Sequence, residues 1–379
     1  MENAAVLAHG VIERIGEAEG KHTYEAQTIN EKIFLSDPIK NHQDGMDQIV
    51  ALLMDNQTGV IKDKSEISAI GHRVVHGAES FQQTSIIDDE VLSAIKENIP
   101  LAPLHNPANI TGIEVSKAIF PAAVQVAVFD TAFHHTIPAK AHLYALPYDL
   151  YETMRIRRYG FHGTSHHYVA QQAAKLLDQP LDTLNLITIH LGNGGSITAI
   201  EKGKSVDTSM GMTPLEGLIM GTRSGNIDPA IPFFLSENTD MSFKDIDTML
   251  NKKSGLKGIC GLNDMRNILS AVEEGDSKAK TALDMYVYQI KKYIGAYYAI
   301  LGKVNAIIFT AGIGEHSDVI RKLVCTGLEH FGIDMDLDKN LGKNSSAREI
   351  NKTNSPVRIY VIPTDEELKI AQETWKLIK

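Results

Sequence analysis

The chain lacks the cysteines that would make it a disulfide scaffold or a cysteine metal cage, and the long apolar runs that would make it a membrane protein. It has two cysteines, Cys260 and Cys325, far apart and with no C-x-x-C spacing. A disulfide framework and a cysteine zinc site are excluded, and the usage fits a reducing cytoplasm. No apolar run reaches the roughly 18 residues that a membrane helix needs. The first residues, Met1-Glu2-Asn3-Ala4-Ala5, carry no basic region followed by an apolar run, so no signal peptide is expected. There is no block of Lys and Arg, and the formal charge of −10 argues against a nucleic-acid surface. The P-loop spacing is missing too. Before Gly203-Lys204-Ser205, Thr198 stands where the first glycine should be. Near Gly312 and Gly314, Ser317 takes the place of the third glycine of a dinucleotide fingerprint.

What is present is an ordinary globular composition, 43% hydrophobic and 22% charged, in a chain of 379 residues, long enough for two domains. The most informative stretch is Leu186 to Asn226. An apolar run, Leu186-Ile187-Thr188-Ile189, breaks at His190-Leu191-Gly192-Asn193-Gly194-Gly195-Ser196 and resumes at Ile197-Thr198-Ala199-Ile200. Two strands joined by such a turn expose backbone N–H groups at one spot, a nest for anionic oxygen. A second glycine-rich turn, Gly221 to Asn226, carries Arg223. A histidine and an arginine at the two turns suit phosphate. A plain hairpin turn is the competing reading.

The rest is α/β punctuation. Met46, Ile49, Val50 and Leu53 share a helical face. Residues 67–75 read as a strand with Arg73 inside it, and a buried Arg needs an anionic partner, either internal or a ligand. Asn106 is expected as an N-cap with Pro107 opening the helix 108–119, which puts His105 just ahead of a helix N-terminus. Residues 124–129 form a strand ending in Asp130, a usual place for a working carboxylate, or simply for an N-cap. Thr164 or Ser165 is expected to cap a helix with Val169, Ala173, Leu176 and Leu177 on one face, leaving His162 in a glycine-flanked turn. The histidines around it lack a metal-binding spacing. Asp228-Pro229 starts another helix, 254–261 reads as a loop, and 278–301 as a long amphipathic helix. A buried strand, 305–310, ends in the turn 311–315. The last strand, 357–362, leads to a helix whose capping box would be Thr364 and Glu367, leaving Glu366 available for another task.

Nine motifs, in order along nearly the whole chain, resemble those of the acetate kinase family: Gly71–Gly77, Ala102–Asn109, Val128–His134, Tyr159–His166, His190–Gly194, Asp207–Met212, Met220–Asp228, Gly312–Glu315 and Pro363–Leu368. The resemblance implies an α/β fold of the sugar kinase, Hsp70 and actin type, with two ribonuclease-H-like domains, 1–131 plus 367–379 and 132–366, around a nucleotide cleft. It implies phosphoryl transfer from ATP to acetate with Mg2+ (or Mn2+), in a cytoplasmic homodimer with no nucleic-acid or membrane partner. By the same resemblance Asp130, His162 and Arg223 are catalytic. Arg73, Val75, Leu104, Phe161 and Pro214 bind the substrate. His190, Leu191, Gly192, Asn193, Gly194, Asp264, Met265, Arg266, Gly312, Ile313, Gly314, Glu315 and His316 contact the nucleotide, and Glu366 holds the metal.

These roles make physical sense. A loose phosphoryl-transfer transition state spreads charge over the equatorial oxygens, so cations and positioning do the catalysis. A free carboxylate with a pKa of about 4 is already ionised at neutral pH and needs no general base. One departure stands out. The family begins with a strand and an Asn-x-Gly-Ser-Ser-Ser-x-Lys turn, and this sequence has neither. The expectation is therefore a first domain lacking its first strand, through a late start or a truly short protein. Two alternatives stay open: a propionate or butyrate kinase of the same family, and a catalytically weakened nucleotide-binding protein.

Overall fold

In the computed structural model the described residues are 5–79, 81, 83–102, 105–342 and 346–379. The chain divides into two compact units, Met1–Phe129 with Glu367–Lys379, and Asp130–Glu366.

The first unit contains two three-stranded sheets. One is an antiparallel meander of Ala8–Glu13, Lys21–Ala26 and Ile33–Leu35. The other pairs Ala69–Val74 in parallel with Val124–Phe129, whose far edge takes up the short antiparallel strand Ser85–Ile86. The helix His42–Leu53 begins at Asn41, whose side chain accepts from Asp44 N. It buries Val50, which packs with Ile119, Phe120 and Ala123. The final helix, Glu366–Ile378, returns to this unit. A side chain on Gly71 would lie 2.5 Å from both Ile370 Cγ2 and Thr374 Oγ1, so only glycine lets strand and helix meet.

Two expectations are corrected here. Arg73 is exposed, not buried. Strand alternation turns Val74 inward and Arg73 the other way, so the argument from a buried cation does not apply. Asn106 is the first helical residue of Asn106–Ile119, with His105 as the N-cap. Its amide donates instead to the carbonyls of His76 and Ile95, at 3.2 and 3.1 Å, a long-range demand that outweighs the local capping preference.

The second unit is built on one six-stranded sheet in the order Arg348–Glu349, Arg358–Val361, Ala306–Thr310, Asn185–Leu191, Gly195–Glu201, Lys204–Thr208. Asn185–Leu191, Ala306–Thr310 and Arg358–Val361 run parallel, and the hairpin and its third strand run antiparallel. Both faces are covered, which is why these strands read as continuous apolar runs. Ile187, Ile189, Ile307 and Phe309 pack in one cluster with Leu283, Val287, Ile290, Ile294, Tyr297 and Leu301 of the helix Ser277–Leu301. Leu186, Ile200, Ala306, Ile308 and Tyr360 pack on the other face with Val169, Ala170, Ala173 and Ala174 of the helix Gly163–Leu176.

Three local readings change. Leu176, expected on the apolar face, is 45% exposed. The glycine-rich stretch read as a loop contains the helix Gly255–Cys260. The turn after the strand Ala306–Thr310 is the short helix Ala311–His316. Among the described residues no helix is long and apolar enough to cross a membrane.

Candidate functional site

Parallel pairing sets Thr310 beside His190, so the carboxyl ends of two neighbouring buried strands finish side by side. That edge is where α/β sheets present their ligands. The hairpin turn is closed by Gly192 N donating to Gly194 O at 2.9 Å, and its strands are in register from Leu191 opposite Gly195.

His162 is the N-cap of the helix Gly163–Leu176, at φ 57°. That left-handed conformation is uncommon for a residue with a side chain and marks a site where surrounding structure overrides local preference. The next amide, Gly163 N, donates to Asp130 O at 2.9 Å, and a Cβ on Gly163 would lie 2.3 Å from that oxygen. The bare backbone thus holds Asp130, at the end of its strand, against the turn carrying His162. The Arg223 guanidinium donates to Pro214 O at 3.3 Å and also meets Met220 Sδ at 3.8 Å. Burial pushes its pKa down from the usual arginine value. A Cβ on Gly194 would sit 3.4 Å from His162 Nε2 and 3.5 Å from Arg223 Nη1. An imidazole and a guanidinium therefore converge over a glycine with no side chain to fill the space, an arrangement able to cradle an oxyanion.

The segment bearing Pro214 is fixed by Arg158. Its Nη2 pairs with Glu216 at 2.6 Å, and its Nη1 donates to Thr208 O at 2.9 Å and Met210 O at 3.1 Å. The turn bearing Arg223 is held from the other side by the helix Gly255–Cys260. Ser254 N donates to Thr222 O, Leu256 N to Met220 O and Lys257 N to Gly221 O, at 2.9–3.0 Å. Gly255 has φ +61°, and a Cβ there would lie 2.2 Å from Met220 O and 2.5 Å from Arg223 O.

A cavity of about 650 Å³ opens beside the hairpin turn, within the size range of small-ligand pockets. Gly192, Asn193, Asp264, Met265, Arg266, Gly312, Ile313 and His316 from the expected nucleotide set line it. Asp264 caps the helix Met265–Glu273, and the bonds from Arg266 hold its pKa at about 2. The other expected nucleotide residues do not line this cavity. Leu191 is wholly buried in the core, and Gly314 packs over Phe309 and Ile189. Glu315 turns back to accept from Ala311 N at 2.8 Å and Thr364 N at 3.1 Å. His190 and Gly194 belong to the neighbouring cradle.

Sequence reading missed Asn263, Leu269, Ser317, Asp318 and Val319, which also line the cavity. It missed Arg321 as well, a buried cation donating to Gly314 O, Glu315 O and Asn340 and so fixing the helix Ala311–His316. An arginine in an otherwise amphipathic helix was the available signal.

Behind the cradle lie two hydrogen-bond chains. His162 Nδ1 meets Ser196 Oγ at 2.8 Å, Ser196 Oγ meets His166 Nε2 at 2.7 Å, and His166 Nδ1 meets Thr188 Oγ1 at 2.7 Å. Thr364 Oγ1 donates to Ser165 Oγ, which meets His190 Nδ1, both at 2.9 Å. Thr364 therefore serves this chain. The helix it was expected to cap begins two residues later, at Glu366. His162 and His190 stack with centroids 4.2 Å apart. Burial holds His134 down at about 4 and His166 well below the ordinary histidine value.

Phe161 is buried and its carbonyl accepts from His134 Nε2 at 2.9 Å. Pro214 is half-buried. Arg73 and Val75 lie in the first unit, where Val75 is buried and its N–H donates to Asn109 Oδ1 at 3.1 Å. Leu104 lies outside the described residues. Among the described residues, no group of three or more His, Cys, Asp or Glu side chains is gathered as a metal cage.

Comparison with known proteins gives one answer. Residues 1–372 match the model of the acetokinase family. The acetate kinase of Oleidesulfovibrio alaskensis is 55% identical over all of this chain and 95% of its own length. That of Acetivibrio thermocellus is 52% identical over the same shares. Among solved structures, Porphyromonas gingivalis acetate kinase superposes with a TM-score of 0.93 at 44% identity, covering 99% of this chain and 94% of that one. A propionate kinase from Francisella tularensis gives 0.92 at 45%, with the same coverage.

Proposed function

The chain belongs to the acetokinase family, and from that premise we propose that it transfers the γ-phosphoryl group of ATP reversibly to acetate, giving acetyl phosphate and ADP. The observation that carries this reading is the convergence of His162 Nε2 and Arg223 Nη1 over Gly194, next to a cavity large enough for a nucleotide. The acetate oxygen attacks the γ-phosphorus while the bond to the β-phosphate oxygen breaks. Arg223 and His162 stabilise the charge spread over the equatorial oxygens. No side chain needs to take a proton, since the attacking carboxylate is ionised.

Asp130 and Glu366 offer hard carboxylate oxygens, the donor type Mg2+ takes, usually with waters and phosphate oxygens completing its shell. Asp130 is buried, and a carboxylate out of water favours a bound cation. These two residues would hold the ion, which supplies charge neutralisation on the phosphates. The nucleotide would take the cavity, and Arg73, Val75, Leu104, Phe161 and Pro214 are assigned to the organic acid on the family resemblance.

The strand order of the second unit, with an antiparallel hairpin beside parallel strands, supports a ribonuclease-H-like core there. In the first unit the separation into two three-stranded sheets supports a core that wants a joining strand. The helix Ala230–Asn238 has no buried residue, and Phe233 and Phe234 are 60% and 64% exposed. An apolar face of this kind supports a homodimer, and sedimentation velocity on Phe233→Asp should give a lighter species. The cytoplasm is the proposed location.

The deciding experiment incubates the protein with ATP, Mg2+, acetate and hydroxylamine. Acetohydroxamate is expected, and its absence, with nucleotide still bound, would return the reading to a non-catalytic nucleotide-binding protein. The propionate kinase likeness keeps a second acid in play, so propionate is run beside acetate.

A further inference from the structure

The cradle's imidazole is backed by His166, the last residue of the motif Tyr159–His166, and by Ser196 and Thr188, which no motif singled out. Ser196 stands directly opposite His190 across the hairpin. It is fully buried, as are His166 and Thr188. Its single hydroxyl lies between two ring nitrogens, His162 Nδ1 at 2.8 Å and His166 Nε2 at 2.7 Å. One hydroxyl proton can be donated to only one of them, so the other ring must donate to the oxygen. The whole chain therefore runs one way or the other. Either His162 Nδ1–H donates inward, or Thr188 donates to His166 Nδ1, His166 Nε2–H to Ser196, and Ser196 to His162 Nδ1.

The geometry of the cradle favours the second direction. Burial keeps His166 neutral, with one ring proton, in either case. With Nδ1–H donating inward, a neutral His162 would turn the lone pair of Nε2 toward the cradle at Gly194, where an anionic oxygen calls for a donor. In the neighbouring chain Thr364 donates to Ser165, whose hydroxyl meets His190 Nδ1. In the second direction His162 is neutral and carries its proton on Nε2, the atom that faces the cradle at Gly194.

We propose that Ser196 is a positioning residue for phosphoryl transfer: relaying hydrogen bonds from Thr188 through His166, it fixes His162 as the tautomer with its proton on Nε2, aimed at the transferring group. A donor in place before the reaction costs no reorganisation when charge develops. His162 is the residue that touches the substrate, and Ser196 acts through it. The inference rests on the proposed kinase reading, yet its central readout does not depend on turnover.

The test labels the histidines of the full chain with 15N and records the His162 ring shifts, assigned by comparison with His162→Gln, at neutral pH. The expected result is an Nε2–H tautomer in the parent. In Ser196→Ala the shifts should move toward an averaged mixture, kcat should fall about tenfold, and KM for ATP and acetate should stay within twofold. Ser196→Thr keeps a hydroxyl and should restore most of the tautomer preference and of kcat. Thr188→Val, which removes only the far end, should give a smaller change in the same sense. An Nδ1–H tautomer in the parent overturns the proposal. So does a Ser196→Ala protein with unchanged His162 shifts, or one with unchanged kcat. If the parent forms no hydroxamate, the function assignment fails, while the ring shifts still decide the relay.

Discussion

The two units carry their strands very differently. In the second, Asn185–Leu191, Gly195–Glu201 and Ala306–Thr310 are buried almost end to end, under helices on both faces. In the first, Val124–Phe129 is buried as fully, but Ala8–Glu13 is exposed or half-buried throughout, and among the described residues six strands fall into two sheets. His162, Arg223 and Gly194, which converge on a testable geometry, all belong to the second unit, where the hairpin turn grows directly out of the doubly covered sheet. A cradle accurate to a fraction of an ångström needs a base that cannot shift, and close-packed strands supply it.

The comparison is broken most directly at the cradle. Replacing Arg223 by Ala or Asp130 by Asn should lower kcat by on the order of 10³-fold, read by hydroxamate formation. For Asp130→Asn the loss should persist at every pH; recovery at high pH would make the aspartate a base after all. Packing comes next. Ile308→Ala, in the fully buried sheet, should cost about 2–5 kcal/mol by urea denaturation. Val11→Ala, half exposed on the edge strand of the first unit, should cost no more than about 0.5 kcal/mol. Equal losses would erase the contrast.

Acid should also act on the second unit. His134, pushed down to about 4 from 6.5 by burial, stays neutral in the native protein while the unfolded chain takes up a proton. Its contribution is fully present above about pH 6.5, is lost as pH falls toward 4, and amounts to about 3 kcal/mol. His166 acts in the same direction. Urea midpoints at pH 7 and pH 4.5 measure this loss, and His134→Gln should flatten the dependence. A modest effect on specificity is expected at Val75. The parent should prefer acetate to propionate modestly, and Val75→Ala should move the kcat/KM ratio toward propionate by ~1–3 kcal/mol. A parent ratio favouring propionate refutes the assignment.

Much of the second unit was legible in the sequence because its signals are local. The hairpin announces itself by two apolar runs around Gly192-Asn193-Gly194-Gly195, and the helix Ser277–Leu301 by its apolar period. What was hidden depends on distant partners. Asn106 looks like a cap until the carbonyls of His76 and Ile95 claim its amide. Thr364 looks like one until Ser165 receives its hydroxyl across 199 positions of sequence. Glycines at 255, 258 and 261 suggest a loop, yet the first serves close backbone approach at a helix start. Ser196 gave no signal at all, since a serine in a buried strand looks like a packing compromise until two imidazoles are found on either side of it.

Gly255 couples two distant segments of the chain. Because the amides that follow it grip the carbonyls of Met220 and Gly221, two segments more than thirty positions apart behave as one mechanical part. A single methyl introduced at 255 would press on the main chain of Arg223 without touching any reactant. Because these bonds are main chain to main chain, side chains on either segment can vary, but a graft that alters the backbone path of one should carry the other with it.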